Sequence, residues 1–165
     1  MIDELSLTYT TFHAVTQATR RTLDRVAAEL QEKAGVPLPR AELLAVLAGD
    51  PQGRVQMGDL AQALFLTPGS VSRLVGRMEA DGLVRRQSDE HDRRITYAVL
   101  TPSGRLVAER AHGVYLAAIQ STFGEALGAP ALETMRESAT QLLEHLGGES
   151  EWLAMRLRML SLGEE

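Results

Sequence analysis

The most informative segment of this chain lies just past its middle and reads Asp89-Glu90-His91-Asp92-Arg93-Arg94-Ile95-Thr96-Tyr97-Ala98-Val99-Leu100-Thr101-Pro102-Ser103-Gly104. It begins with closely spaced acids and arginines, continues as an alternating strand, and ends at the start of a helix. A charged tip between two strands, placed after a short pair of helices, is how a winged helix presents arginine to a DNA groove.

The charged tip is predicted to be the wing of such a lobe. Ile95 to Leu100 alternates as a strand, and Leu83 to Arg86 reads as its partner. Asp92 lies two residues before Arg94, close enough to orient the guanidinium and hold the loop tip. Arg93 or Arg94 could then enter a minor groove, whose negative potential favours arginine.

The residues before the wing read as a helix-turn-helix. Met57 to Leu64 is predicted as a short helix. Thr67 is a predicted N-cap with Pro68 at the first helical position, where its missing N–H costs nothing. Gly82 then marks the end of the second helix.

The second helix of this pair has two different faces. An apolar stripe recurs at helical spacing and is predicted to be buried: Val71, Leu74, Val75 and Met78. Ser70, Arg73 and Arg77 line the opposite side, with Ser72 beside them, which is chemistry suited to a major groove. The predicted DNA-contacting residues are Thr67, Pro68, Ser70, Ser72, Arg73, Arg77, Arg93 and Arg94.

Long helices flank this lobe on both sides. The first carries an apolar face ending at Gly35, made of Phe12, Val15, Thr19, Leu23, Val26 and Leu30. Three more are predicted from Pro102 to about Leu127, from about Pro130 to Leu146, and over Ser150–Leu162. The last is apolar over most of its girth, so we expect it to be buried between subunits or packed within one chain.

Composition limits the alternatives. The 165 residues carry a net charge of −5, yet residues 54–105 contain eight arginines and six acids, which leaves −7 for the rest of the chain. The local surplus, not the overall sign, governs attraction to phosphate. There is no cysteine, which excludes disulfides and thiolate metal sites. With no long apolar segment and no leader pattern, a cytoplasmic location without membrane contact is expected.

With both motifs in place, the sequence resembles the MarR family of bacterial transcriptional regulators over roughly residues 10–146. The matching segments are Leu60-Ala61, residues 67–75, Asp81-Gly82-Leu83-Val84, the triplet 92–94, and Leu100-Thr101 with Gly104. The family's usual proline near the first acid of the wing is replaced here by Glu90-His91.

The resemblance implies a single domain over 1–165 that is mainly α with a small β-hairpin wing. A winged helix-turn-helix lobe would span 41–104, and a helical dimerisation region would comprise 1–35 and 105–165. The implied protein is a homodimeric repressor or activator that binds double-stranded, pseudo-palindromic DNA. A small-molecule effector of unknown identity, with aromatic compounds as candidates, would bind near the first helix, where Phe12 and His13 lie.

Two other classes of function remain open. The same lobe could serve as a protein–protein interaction module, with its arginines facing an acidic partner; salt-dependent binding to random duplex would discriminate. An enzyme is not expected, because no nucleophile pattern or phosphate loop is present. No cofactor is predicted, and Glu109 with His112 is only a weak pattern for a metal.

Overall fold

The structure, a computed structural model, describes residues 3–147. Its elements follow in the order α1 Glu4–Glu29, α2 Leu38–Ala48, β1 Arg54–Gln56, α3 Met57–Ala63, α4 Pro68–Ala80, β2 Val84–Ser88, β3 Thr96–Leu100, α5 Pro102–Ile119 and α6 Glu125–His145. The predicted class, mainly α with a small β-hairpin wing, is confirmed. The helix predicted over Ser150–Leu162 lies outside the described residues.

The strands form one antiparallel sheet with β3 between β1 and β2. The predicted hairpin is present, but β2 runs from Val84 to Ser88, whereas Leu83 to Arg86 was predicted. The sequence did not predict β1, which pairs with β3 over only three residues. Its Arg54 guanidinium lies 4.5 Å from the centre of the Tyr97 ring, so a cation–π contact adds to the backbone pairing.

The winged lobe has its own apolar core beneath α4. Side chains from α2, α3, α4 and the sheet are completely or almost completely buried there: Leu43, Leu44, Leu47, Leu60, Val71, Leu74, Val75, Met78 and Val84. Burial of each such side chain stabilises the fold by about 1.5–3 kcal/mol before entropy is counted. The stripe predicted for α4 is therefore the face that fixes this helix on the lobe.

The start of α5 is held against the base of the wing. Thr101 Oγ1 accepts a hydrogen bond from the Gly104 backbone N–H at 3.0 Å and donates to the Gly82 carbonyl at 2.8 Å. A Cβ on Gly104 would lie 2.0 Å from the Leu83 carbonyl oxygen. Only glycine allows this approach between helix and hairpin.

A second apolar cluster joins the end of α1 to α5. Its buried members are Val26, Leu30, Ala34, Val36, Ala41, Ala111 and Ala118. The stripe predicted along α1 enters this cluster only at Val26 and Leu30. Phe12 is 64% exposed and Val15 45% exposed, so within one chain the face is covered at its C-terminal end alone.

The helices after the wing agree with the prediction, except for one additional π-helical turn. A π-helical turn at Gln120–Gly124 follows α5, and Gly128, with φ +67°, breaks α6 just before Pro130. No residue in the described part of α6 is buried within the chain. Across residues 3–147, no helix combines the length and apolar character needed to cross a membrane.

Candidate nucleic-acid interface

The first turn of α4 presents the hydroxyl groups that the sequence nominated. Thr67 is the N-cap, and its Oγ1 accepts from the Ser70 N–H at 3.2 Å while donating to Ser70 Oγ at 2.9 Å. Arg73 Nη2 in turn donates to Ser70 Oγ at 3.2 Å. Pro68 and Arg73 are exposed, so a short polar chain runs across the outer side of this turn.

Ser72 lies on the flank of α4 that faces the wing. Its Oγ accepts from Arg86 Nη2 at 3.3 Å, and its carbonyl oxygen accepts from the same nitrogen at 2.7 Å. Ser70 and Ser72 therefore belong to different sides of the helix. Ser72 borders the groove between helix and wing.

Arg77 lies one helical turn beyond Arg73, beside the connection from α1 to α2. It borders a surface hollow of about 470 Å³ whose other lining residues are Gln31, Gly35, Pro37, Pro39, Arg40 and Leu74. Arg40 is paired with Asp81, the two side chains being 2.7 Å apart at Nη1 and Oδ2. The exposed guanidinium of Arg77 thus adds positive charge at the edge of α4, away from the first turn of that helix.

The wing arginine is held by two bonds to one carboxylate. Arg94 Nε donates to Asp92 Oδ1 at 3.0 Å, and Nη2 donates to Oδ2 at 2.9 Å. The Arg94 side chain is 91% exposed, whereas that of Asp92 is 36% exposed. Arg94 is thus displayed to solvent in one orientation, while Arg93 is exposed beside it.

The Asp92 contact is maintained over a wide pH range. The side chain of Arg94, followed by its backbone N–H, holds the pKa of Asp92 below its ordinary value. A lowered carboxyl pKa means that the interaction is complete above the ordinary value and is lost only as the pH falls through the lowered one. Asp92 is therefore ionised at neutral pH, and its contact with Arg94 is complete there.

The tip of the wing is closed by Asp89, a role that the sequence reading missed. Its Oδ1 accepts from the N–H groups of His91 at 2.9 Å and Asp92 at 3.0 Å, and these bonds hold the pKa of Asp89 below its ordinary value. The aspartate side chain bonds the backbone two and three residues ahead, a turn motif that could have been anticipated from its position. The tip is thus closed although the family's proline is absent.

A groove of about 360 Å³ separates α4 from the wing. Its lining residues are Gln56, Met57, Gly58, Pro68, Ser72, Arg86, Arg94 and Thr96. Pro68, Ser72 and Arg94 were nominated from the sequence, whereas Arg86, Thr96 and Gln56 were not. The fold thus brings the start of α4 and the wing arginine to one concave surface.

Phe12 and His13 lie far along the chain from this groove, on the exposed part of α1. The His13 ring is 4.4 Å from that of Tyr9 and 5.3 Å from that of Phe12, measured between centroids. Phe12 and Tyr9 are both 64% exposed. Within one chain, these residues form an aromatic cluster on an open helix face.

The weak metal pattern on α5 finds no support in the geometry. Among residues 3–147, no three histidine, aspartate or glutamate side chains come together as a metal ion would require. His112 is 7% exposed and packs where α5 is buried.

A helix-turn-helix with a β-hairpin wing, carrying outward hydroxyls and arginines, defines a winged helix-turn-helix protein. Residues 34–95 match the model of the MarR family. The structure is similar to that of AbsC, a MarR family transcriptional regulator from Streptomyces coelicolor, with a TM-score of 0.78 and 26% identity. The match covers 90% of this chain and 99% of AbsC. The chain is therefore similar to the MarR family, in sequence over residues 34–95 and in fold over nine-tenths of its length.

Two further relatives bear on the interface. Sco3205, a MarR family transcriptional regulator from Streptomyces coelicolor whose structure contains DNA, is 28% identical with a TM-score of 0.77 over 84% of this chain and 86% of its own. BadR, a transcriptional activatory protein of Rhodopseudomonas palustris, is 35% identical over 92 residues. That match covers 56% of this chain and 51% of BadR, so the chain spans about half the length of this curated relative.

Proposed function

We propose that the protein is a sequence-specific DNA-binding transcriptional regulator that acts as a homodimer on a pseudo-palindromic operator. The observation that supports this most directly is the concave surface where the first turn of α4 and the Asp92-held Arg94 converge. Sco3205, which shares this fold, has been solved in complex with DNA.

Each contact residue has a role that follows from its place. Arg73, next to Ser70 on the exposed turn, is positioned to grip a base edge in the major groove, where arginine pairs bidentately with guanine. Thr67, Pro68 and Ser70 approach the same groove or its phosphates. Arg94 enters the adjacent minor groove, and Arg93 and Arg77 neutralise phosphate on either side.

The dimer is proposed from the apolar faces that a single chain leaves open. Along α1, Leu5, Leu7, Tyr9 and Phe12 are each more than half exposed, and so are Leu142 of α6 and Leu146 at its C-cap. Exposed apolar residues concentrated on helices in this way are typical of an interface. Two copies joined there would place their α4 helices about 34–36 Å apart, one turn of DNA.

The proposed effector is a small molecule that binds between this dimer region and the reading lobe. The aromatic cluster of Tyr9, Phe12 and His13 supplies apolar surface with two polar groups, the Tyr9 hydroxyl and the His13 imidazole, which is the composition of many ligand pockets. A second subunit would have to close the site. We propose repression as the mode of action, although BadR is an activatory protein, so a reporter assay must be able to register either sign.

The decisive experiment is selection of bound sequences from a random duplex pool, followed by salt titration of the selected site. We expect a pseudo-palindrome with half-sites about one turn apart, and log affinity that falls linearly with log salt. Arg136→Ala is the matched control for substitutions of the lobe arginines, because Arg136 is an exposed arginine of α6 outside the lobe. Recovery of no common sequence, with weak and salt-insensitive binding, would instead favour a protein-interaction module.

A further inference from the structure

Arg86 of β2 connects the wing to the recognition helix through both its backbone and its side chain. Its backbone N–H donates to Glu79 Oε1 at 2.9 Å, and its Nη1 lies 3.5 Å from Glu79 Oε2. Its Nη2 donates to the Ser72 carbonyl at 2.7 Å and to Ser72 Oγ at 3.3 Å. One residue of the wing thus contacts two separate turns of α4.

Gly76 lies between these two contact points, and even a Cβ at this position would only be in ordinary van der Waals contact with the guanidinium. A Cβ built on Gly76 would stand 3.5 Å from Arg86 Nη2. Ser72, Gly76 and Glu79 are spaced four and three residues apart, so they share one face of the helix. The Arg86 side chain therefore lies along this face for about two turns.

The position of Arg86 in the hairpin gives the contact its importance. Arg86 is opposite Ala98 of β3 and two residues nearer the wing tip than Val84, which is buried in the core. Arg86 and the wing-tip Arg94 both line the groove between α4 and the wing. The contacts of Arg86 with Ser72 and Glu79, called the Arg86 tie below, resist rotation of the outer hairpin relative to α4.

We propose that Arg86 is a positioning residue that holds the recognition helix and the wing as one rigid reading unit, with Glu79 as its required partner. The proposal rests on the function proposed above. The charge of Arg86 is balanced by Glu79, and two of its nitrogens are engaged by α4, so its task is to set the distance between the two DNA-contacting elements. Phosphate contact is left to other arginines.

Arg85 provides the matched control. It is exposed, it carries the same charge one position earlier, and its Nη1 donates within the same strand to Gln87 Oε1 at 3.0 Å. Since neighbouring strand residues face opposite sides of the sheet, Arg85 points away from the face that meets α4. Arg85→Lys therefore repeats the chemical change without touching the tie.

The first test compares binding of the full chain to selected operator and to random duplex at matched salt. We expect Arg86→Lys to weaken operator binding about tenfold, because lysine offers one nitrogen centre and cannot bridge Glu79 and Ser72 together. Random-duplex binding should change less than about twofold, since the positive charge remains. Arg85→Lys should leave both affinities near wild type.

The sign of the change in DNA affinity caused by Glu79→Ala distinguishes a positioning role from simple electrostatics. Removal of a negative charge near DNA should tighten binding if charge alone matters. If Glu79 holds Arg86 in place, Glu79→Ala should weaken operator binding, and the double variant with Arg86→Lys should bind no worse than the single Arg86 variant. Tighter binding by Glu79→Ala, or full binding by Arg86→Lys, would overturn the proposal.

A distance measurement tests the tie independently of any operator. Because the chain contains no cysteine, spin labels can be placed at Ala80→Cys and Glu90→Cys, both exposed positions, with labelled protein diluted into unlabelled protein. We expect the distance distribution to broaden in Arg86→Lys at unchanged helix content by circular dichroism. An unchanged distribution rejects the tie even if the protein proves to bind no DNA, so the two proposals can fail separately.

Discussion

At the scale of single residues, Asp92 and Arg94 offer a test whose sign is informative. Asp92→Ala removes a negative charge from the wing tip that we propose faces DNA, so electrostatics alone predicts tighter binding. Because both oxygens of Asp92 hold the Arg94 guanidinium, we expect operator binding to weaken about threefold to tenfold instead. Titration at matched salt decides, and Arg94→Ala should weaken binding at least as much. If Asp92→Ala binds more tightly than wild type, the carboxylate does not orient Arg94.

Arg73 and Arg77 should differ in the kind of loss that they cause. Arg73 shares a hydrogen bond with Ser70 on the first exposed turn, so Arg73→Ala should cost about 1–3 kcal/mol and relax preference at one base position. Arg77 stands beside Arg40 at the edge, so Arg77→Ala should weaken binding to all sequences similarly and reduce the salt slope by about one. Binding-site selection with both variants would reveal this; a base preference lost only in Arg77→Ala would reverse the two roles.

The sequence indicated these residues to different degrees, for physical reasons. Local signals were sufficient for Thr67 and Pro68, because caps and first-turn prolines act within one turn of helix. Asp92 and Arg94 are two residues apart, so their contact is local as well. Arg86 was missed because its partner Ser72 is 14 residues away and only the packed fold brings them together.

At the scale of elements, the joint between wing and α5 depends on one glycine. Gly104→Ala should lower the free energy of unfolding by about 2–3 kcal/mol, because the added methyl would lie 2.0 Å from the Leu83 carbonyl oxygen. Gly113→Ala is the control within the same helix: nothing stands within 4 Å of its Cβ, so alanine should stabilise by about 0.5–1 kcal/mol. Equal effects in chemical denaturation would contradict the close approach at Gly104.

The elements that the sequence did not predict are those with weak local signals. β1 has three residues, two of them polar, and forms because β3 offers it an edge and Tyr97 a ring for Arg54. The π-helical turn at Gln120–Gly124 lies inside a segment whose apolar spacing is ordinary for a helix. By contrast, α4 was predicted closely, because a complete buried stripe and a defined cap specify the same element.

For the molecule as a whole, α1 shows what sequence periodicity can predict and what it cannot. The sequence spacing correctly indicates one apolar face, made of Phe12, Val15, Leu23, Val26 and Leu30. It does not indicate which surface covers this face. Within the chain, α5 and the first turns after α1 cover Val26 and Leu30. The remaining apolar residues of this face, Phe12, Val15 and Leu23, are exposed within the chain.

That uncovered face leads to the prediction on assembly. Phe12→Glu would place a charge in the proposed interface, so we expect a shift from dimer to monomer in light scattering at micromolar concentration, with loss of operator binding that follows the loss of dimer. Leu106→Glu is the control, because Leu106 is a 69% exposed leucine near the start of α5, in a stretch that packs on the winged lobe. A wild-type monomer, or a Phe12→Glu dimer as tight as wild type, would show that this face of α1 is not where two copies meet.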